Sequence, residues 1–513
     1  MATPQPVRVW SQPGVKRDST QLEGENYSDG LWCRFNARAL PRKIAGYQAL
    51  TQRLDEVVRG MDSFTADLIN YIYMGSRSFM TQFQQNLSGA PGAQFNRTPG
   101  GFAVDVNNLW QFTQMQNLVT GNTVLVAHAA PNLNDIAATT ERPIYYGDAT
   151  APTALVASGM DPVSGGVVAA APYILAYGNG GRVDISVAND PTQPTANSTF
   201  VTQQKIVKGL PIRNSTGPAV ILWSLDSVIT GFFDPAATAA AGGIATFDWN
   251  TVSASSSIMS SQCVIEYDSI YYWVGADRFL MFNGIQRELP NNLNIDFFFK
   301  NLNFAQRQKV FAIKVPRWGE IWWCFPRGNA TECNHAVIYN TRLQTWYDTP
   351  LPDGGRTAGL FAKVYQFPYM CDADLTPTGF TLWQHETGMD KVVGTSALPI
   401  PASITTHEQS PVIMQQGAVD KAYRVGIIEP DFLQVGNITC TVLGRANARV
   451  APVASAPLTI VPAPVIAAAD QMVELKKNAR LLAFQFSTNT IGGDFEMGHV
   501  LAHIEQTDGR FTQ

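Results

Sequence analysis

The run CVIEYDSIYYWVGADRFLMF, residues 263–282, can be folded in very few ways. Its β-branched and aromatic residues come in short blocks, broken at Asp268-Ser269 and again at residues 275–277, where Gly, Ala and Asp favour turns. This reads as three antiparallel strands joined by tight connections. The same pattern recurs along the chain. Residues 68–80 read as two strands around Gly75-Ser76, residues 122–128 alternate Thr, Val and Leu, and residues 173–187 form a hairpin about the glycines of 178–181. Residues 320–325 and 335–346 make the next pair, and residues 380–393 another. Helical periodicity is nearly absent. The best helical stretch is 303–313, where Asn303 is expected to cap and Phe304, Val310 and Ile313 to share a side.

Strand units that recur every few tens of residues, each too small to fold alone, are what a radial β-array requires. The expected fold is therefore all-β, with a β-propeller of about six to eight blades over residues 51–410. Residues 1–50 are expected as an N-terminal segment with a β-hairpin. Residues 411–513 are expected as a β-sandwich-like domain, or as strands that close the propeller. In that last part 437–443 and 480–487 are strand-like, and Gly492-Gly493 turns the chain into 495–504. Two intervals break the rhythm. Residues 129–165 and 188–256 are rich in Ala, Thr, Ser, Pro and Asn, and read as long loop insertions.

Five of the eleven tryptophans, Trp273, Trp318, Trp322, Trp323 and Trp346, fall within residues 263–359. In IWWCF, Ile321, Trp323 and Phe325 share one face and Trp322 and Cys324 the other. Both faces are apolar, as expected for a strand buried between neighbouring blades. Trp273, Trp322, Trp323, Tyr339, Trp346 and Arg356 make up this blade-packing signature, and the order Tyr339, Trp346, Arg356 resembles a Kelch blade. A carbohydrate-binding aromatic platform is the rival reading of the same rings.

Only 15% of residues are charged and the formal net charge is −5, so the chain as a whole has no electrostatic bias towards nucleic acid or anionic membrane. The basic part is residues 1–60, with Arg34, Arg38, Arg42 and Lys43, read as solvated β-surface or a subunit contact. The six cysteines are scattered without a CxxC pair, which fits folding in a reducing compartment. The opening MATPQPVRVW lacks the charged and apolar regions of a secretory signal, and the longest apolar run, 167–177, is too short to span a bilayer. Glu320, Glu332, Asp348 and Asp353 fall at strand ends, but no spacing singles out a catalytic pair. The GNGGR turn at 178–182 lacks the Lys and Ser/Thr of a phosphate loop. His499 and His503 are four apart on what reads as a strand, so a shared metal is not expected. The sequence leads to no enzyme chemistry, no cofactor and no metal.

Three stretches carry a family resemblance. Residues 14–50 hold "GVKRD", "YSDGLWCRF" and "PRKIAGY"; residues 270–359 hold YYWVGADRFLMFNG, EIWWCFP, ECN, VIYN, TWYDTPL and RTAG in that order; residues 477–510 hold KNARLLAFQF, the paired glycines and a final Gly509-Arg510. Together they resemble the tail nozzle or tail tubular proteins of short-tailed bacteriophages, including packaged-DNA stabilisation proteins. The resemblance implies a non-enzymatic subunit of the virion tail, assembled in the bacterial cytoplasm as a homo-hexameric ring below a tail adaptor. It implies tail fibres among the partners and a channel that retains packaged DNA and passes the duplex without sequence preference during ejection. The segment around Phe232 and Phe233, long and built of small residues, is the candidate channel gate. The alternative is a tail-associated propeller that binds or cleaves glycans.

Overall fold

The computed structural model describes residues 5–20, 23–50, 54–86, 91–105, 108–118, 120–131, 136–195, 198–213, 215–362, 364, 366–373, 380–409, 422–462 and 473–506. These residues form an all-β structure of many small antiparallel sheets, in which the α-helices are Pro235–Ala240 and Ile295–Asn301. None of the described helices is long and apolar enough to cross a membrane. Gly509 and Arg510, which end the third resembling stretch, lie outside the described residues.

Seven sheets follow one another along the chain. The first six are meanders in which each strand pairs with its predecessor. Sheet 1 is Val58–Ala66, Ile69–Ser76, Met80–Asn86 and Pro91–Asn96. Sheet 2 runs from Leu109–Gln116 to Val156–Ala157, and sheet 3 from Gly166–Ala170 to Asp190–Pro194. Sheet 4 runs from Ile206–Pro211 to Phe247–Ser253, sheet 5 from Ile265–Tyr267 to Gln286–Glu288, and sheet 6 from Phe311–Val315 to Thr345–Pro350. Sheet 7 starts with Arg356–Ala362, Phe367–Asp372 and Leu382–His385. Its fourth strand is Tyr47–Ala49, which pairs His385 with Tyr47 and Trp383 with Ala49. First strands lie side by side from sheet 7 through 1, 2 and 3 to 4, and again from 5 through 6 to 7. Sheets 4 and 5 meet where Trp223 packs edge-on against Trp273 (5.7 Å) and Tyr271 donates to the Pro211 carbonyl (2.7 Å).

Two more sheets share a core. One holds Val473–Ala479, Tyr423–Val435 and Asp494–Gln506, flanked by Gln5–Val9, Pro41–Lys43 and Cys33–Phe35. The other holds Asp29–Leu31, Ala402–Thr405, Leu481–Thr488 and Ile438–Arg445. Val425, Ile428 and Phe495 from the first pack with Ile404, Cys440 and Phe486 from the second, and Phe432 meets Phe486 at 5.2 Å. This two-sheet body thus draws strands from both ends of the chain. The same core continues into Phe311, Trp322 and Tyr347 of sheet 6 and Met370 and Trp383 of sheet 7.

Several expectations need correction. The intervals 129–165 and 188–256 are not structureless insertions: the first includes Ile144–Asp148 and Val156–Ala157 of sheet 2, and the second contains all of sheet 4. Gly231 serves there because its cross-strand partner Trp249 lies over it: a Cβ on Gly231 would sit 2.4 Å from the Trp249 ring. The helix expected at 303–313 is a 3-10 turn over Phe304–Lys309 followed by the strand Phe311–Val315, and Asn303 makes no capping bond. The hairpin of the N-terminal segment is present as Cys33–Phe35 with Pro41–Lys43, but it sits inside the two-sheet body. All six cysteines are free and buried.

Candidate functional site

The richest concentration of buried charge lies where sheets 6 and 7 meet the two-sheet body. Arg34, in the strand Cys33–Phe35, is 1% exposed, and Glu320, which opens the IWWCF strand, is 0% exposed. Arg34 donates to Glu320 (2.9 Å) and, with both terminal nitrogens, to Glu386 (2.6 and 2.7 Å). Trp322 Nε1 (2.8 Å) and Tyr347 Oη (2.6 Å) also donate to Glu320, and Trp318 Nε1 donates to Glu386 (3.0 Å). Burial alone would lower the Arg34 pKa, but the two carboxylates outweigh it, so the guanidinium stays charged. Burial raises Glu320, and Arg34, shared with Glu386, offsets this only in part. A charge so placed is held by geometry, and removing one partner typically costs about 3–5 kcal/mol.

A second lock lies beside it. Gly14, at φ +107°, passes so close to sheet 6 that a Cβ there would be 2.4 Å from Thr345 Oγ1. Arg17 then reaches Asp348 with two nitrogens (2.9 and 3.1 Å) and Asp29 (2.7 Å). His335 completes the set at 2.8 Å from Asp348. Burial pushes the Asp348 carboxyl up, but the His335 hydrogen bond and the Arg17 charge bring it below its usual value. Asp18 accepts from the backbone N–H groups of Asp296 and Phe297 (2.7 Å each), so it caps the helix Ile295–Asn301 from the other end of the chain. Lys43, 1% exposed, donates to the Gly493 carbonyl (2.8 Å), and Asp390 accepts from Gly492 N (2.9 and 2.7 Å). Arg34 and Lys43, expected at a solvated surface, are therefore interior residues.

A cavity of about 340 Å³ opens at this junction. Trp32, Tyr47, Pro350, Leu351, Ile400 and Pro401 form its apolar walls, and Asp353, paired with Lys391 at 2.6 Å, its polar side. No strongly directional polar set converges on it, so it fixes no chemistry.

The signature residues divide by face as expected. Ile321, Trp323 and Phe325 belong to the core shared with sheet 5, while Trp322 and Cys324 belong to the core shared with the two-sheet body. Trp323 donates to the Cys263 carbonyl (3.0 Å) and stacks with Trp346 (5.8 Å), whose own Nε1 donates to Pro290 O (2.8 Å). Trp273 donates to Ser257 O (3.1 Å), and Tyr339 lies 4.8 Å from Trp346. Arg356 is fully buried, bonded to the Pro352 and Gly355 carbonyls and set 5.1 Å over Tyr47. These rings are covered on both faces, so they offer a sugar no platform. Phe232 is exposed on the third strand of sheet 4, while Phe233 packs on Tyr173 (5.3 Å) and Phe247 (5.8 Å). The segment between them and Phe247 contains the helix Pro235–Ala240, capped by Asp234.

The four strand-end carboxylates all have ionic partners. Glu320 has Arg34, Asp348 has Arg17, Asp353 has Lys391, and Glu332 is held by Arg59 (2.6 Å) and Lys309 (2.8 Å). His503 pairs with Glu429 rather than His499. No family model and no curated protein matches the chain.

Proposed function

We propose that this chain is a structural subunit of a short phage tail, with six copies forming a nozzle that continues the portal and adaptor channel, retains packaged DNA and conducts it during ejection. One observation carries this reading. The three stretches that resemble tail nozzle proteins, far apart in sequence, meet at a single junction. Arg17, Asp18 and Arg34 of the first hold Asp348, the helix Ile295–Asn301 and Glu320 of the second, and Lys43 of the first holds Gly493 of the third. A resemblance scattered by accident has no reason to assemble into one load-sharing contact.

In this reading the seven sheets are the blades of a β-propeller. Tyr47–Ala49 closes the last blade, and the two-sheet body is the additional sandwich. The duplex does not run through the centre of one subunit, where side chains fill the space between the first strands. Gln111 bonds Gly165 O (2.8 Å) and Val207 O (3.1 Å), Gln262 bonds Trp110 O (2.7 Å), and Gln308 is buried beside them. The channel is therefore formed between copies, and a chain with a formal net charge of −5 gives it no overall positive charge through which phosphate contacts would retain the duplex. The capped projection beyond Phe232 narrows the distal opening, with Phe232 as its exposed apolar contact.

Mass photometry and electron microscopy of the purified chain, alone and with the adaptor from the same particles, test the reading. A six-membered ring with an open centre is expected. A chain that stays monomeric with the adaptor at every concentration contradicts it. Deleting residues 234–246 should give particles that leak DNA; normal retention would remove the gate from the account.

A further inference from the structure

Two Asn-Gly pairs occur in the chain, Asn179-Gly180 and Asn283-Gly284, and the fold treats them in opposite ways. Such a pair is a latent reaction centre. Glycine places no side chain beside its main-chain nitrogen, so that nitrogen can approach the amide carbon of the asparagine before it. Whether it does so depends on how freely the asparagine side chain and the following peptide turn.

Asn179 is held. It opens the 3-10 turn Asn179–Gly181, its Oδ1 accepts from Ser164 Oγ (2.6 Å), and its Nδ2 donates to the Thr139 carbonyl (2.6 Å). The Arg182 N–H returns to the Asn179 carbonyl, and Gly178 N donates to Arg182 O (3.1 Å), so the main chain on both sides is tied as well. Asn283 lies instead in the short connection between the third strand of sheet 5, Phe279–Phe282, and the fourth, Gln286–Glu288, where Phe282 pairs with Gln286. Asn283, Gly284 and Ile285 are all exposed. Neither the Asn283 side chain nor the Gly284 N–H has a hydrogen-bond partner among the described residues. Gly284 stands at φ +106°, and the space where its Cβ would be is open. The turn needs glycine at that φ, so the residue that makes Asn283 labile is one the hairpin cannot replace without strain. Exposure alone is not the cause, because Asn329, also exposed, is followed by Ala330, whose Cβ hinders the same approach.

We propose that Asn283 is a site of spontaneous covalent modification, deamidating through a succinimide while Asn179 stays intact. Gly284 N loses its proton and bonds to Asn283 Cγ; the Cγ–Nδ2 bond breaks and ammonia leaves. Water then opens the five-membered ring. Attack at Cγ leaves aspartate, and attack at the main-chain carbonyl leaves isoaspartate, in which the main chain runs through the β-carbon and is one methylene longer. Either product adds a negative charge to the turn. Leu280 and Leu289, both buried, still anchor the two strands, so the chain stays folded while the Phe282–Gln286 pair loosens. This chemistry belongs to one hairpin and holds or fails independently of any role in a phage tail.

Peptide mapping by mass spectrometry of the unaltered full-length chain, stored warm in oxygen-18 water, tests it. Aspartate and isoaspartate should accumulate at residue 283, with one labelled oxygen taken up per conversion. The reaction should run faster in mildly alkaline than in mildly acidic buffer, because the attacking nitrogen must be deprotonated. Two hydrogen bonds must break before Asn179 can cyclise, so in the folded chain Asn283 should react about tenfold faster or more. In denaturant, where both turns are lost, the two rates should converge. Asn283→Gln, at an exposed position, should remove the fast reaction and leave the fold intact. A folded chain in which Asn179 reacts as fast as Asn283, one in which Asn283 outlives Asn329, or a difference that persists undiminished in denaturant would overturn the proposal.

Discussion

Sheets 4 and 6 are both four-stranded meanders, yet their outer strands have opposite fates. The last strand of sheet 6, Thr345–Pro350, is buried up to its final residue, because Gln12–Val15 and Asp29–Leu31 lie over it. Thr349 Oγ1 accepts from Trp32 N (2.9 Å), and Thr345 Oγ1 donates to Pro13 O (3.0 Å). The last strand of sheet 4, Phe247–Ser253, has a single buried residue, Phe247, which stacks with Trp249 (5.7 Å) and packs on Phe233 (5.8 Å). Composition follows cover. Sheet 6 packs on both faces and has Trp and Tyr on both, whereas the last strand of sheet 4, FDWNTVS, places Asp, Asn and Thr at its exposed positions. Charge follows as well, since the Arg34 and Arg17 locks sit where sheet 6 meets the N-terminal strands.

The sharpest way to break this contrast is to delete a ring on each side. Trp323→Ala should cost about 3–5 kcal/mol in urea denaturation, and Trp249→Ala less than half of that. Equal losses would mean that cover does not set the energetics. Next in size is the Arg34 lock. Arg34→Met strands Glu320 and Glu386 and should cost about 3 kcal/mol, much of it recovered when both glutamates become glutamine. A loss under about 1 kcal/mol would show the lock to be incidental.

The third test uses pH. Burial depresses the His335 pKa, with Asp348 restoring only part of it, so the folded chain resists a proton that the unfolded chain accepts. Stability of the sheet 6 side is therefore complete above the ordinary histidine pKa and declines as pH falls below it. Hydrogen-exchange protection of residues 335–350, corrected for intrinsic rates, should drop between pH 7 and pH 5 while residues 219–233, without histidine, hold steady. His335→Asn should remove the difference. Smallest of all, Phe232→Ser at an exposed position on the third strand of sheet 4 should change stability by no more than about 0.5 kcal/mol.

What the sequence made legible was whatever is encoded locally. The three strands of 263–282 and their turn at Asp268 and Ser269, both at positive φ, follow from alternation and turn chemistry alone. The division of IWWCF into two buried faces followed from period two. Sheet 4 was hidden because the Ala-, Thr- and Ser-rich connections dominate the composition of its interval, although its strands, AVILWS and VITGFF among them, are apolar. The helix Ile295–Asn301 was hidden because its cap is Asp18, which no local window contains. Arg34 and Lys43 look like surface residues until Glu320, Glu386 and Gly493 are brought to them.

Electron cryomicroscopy of intact particles that carry this gene tests the central claim most directly. The account predicts this chain in the tail at sixfold symmetry, below the adaptor, with six copies arranged around a channel formed between them. Particles that lack the chain altogether would contradict it.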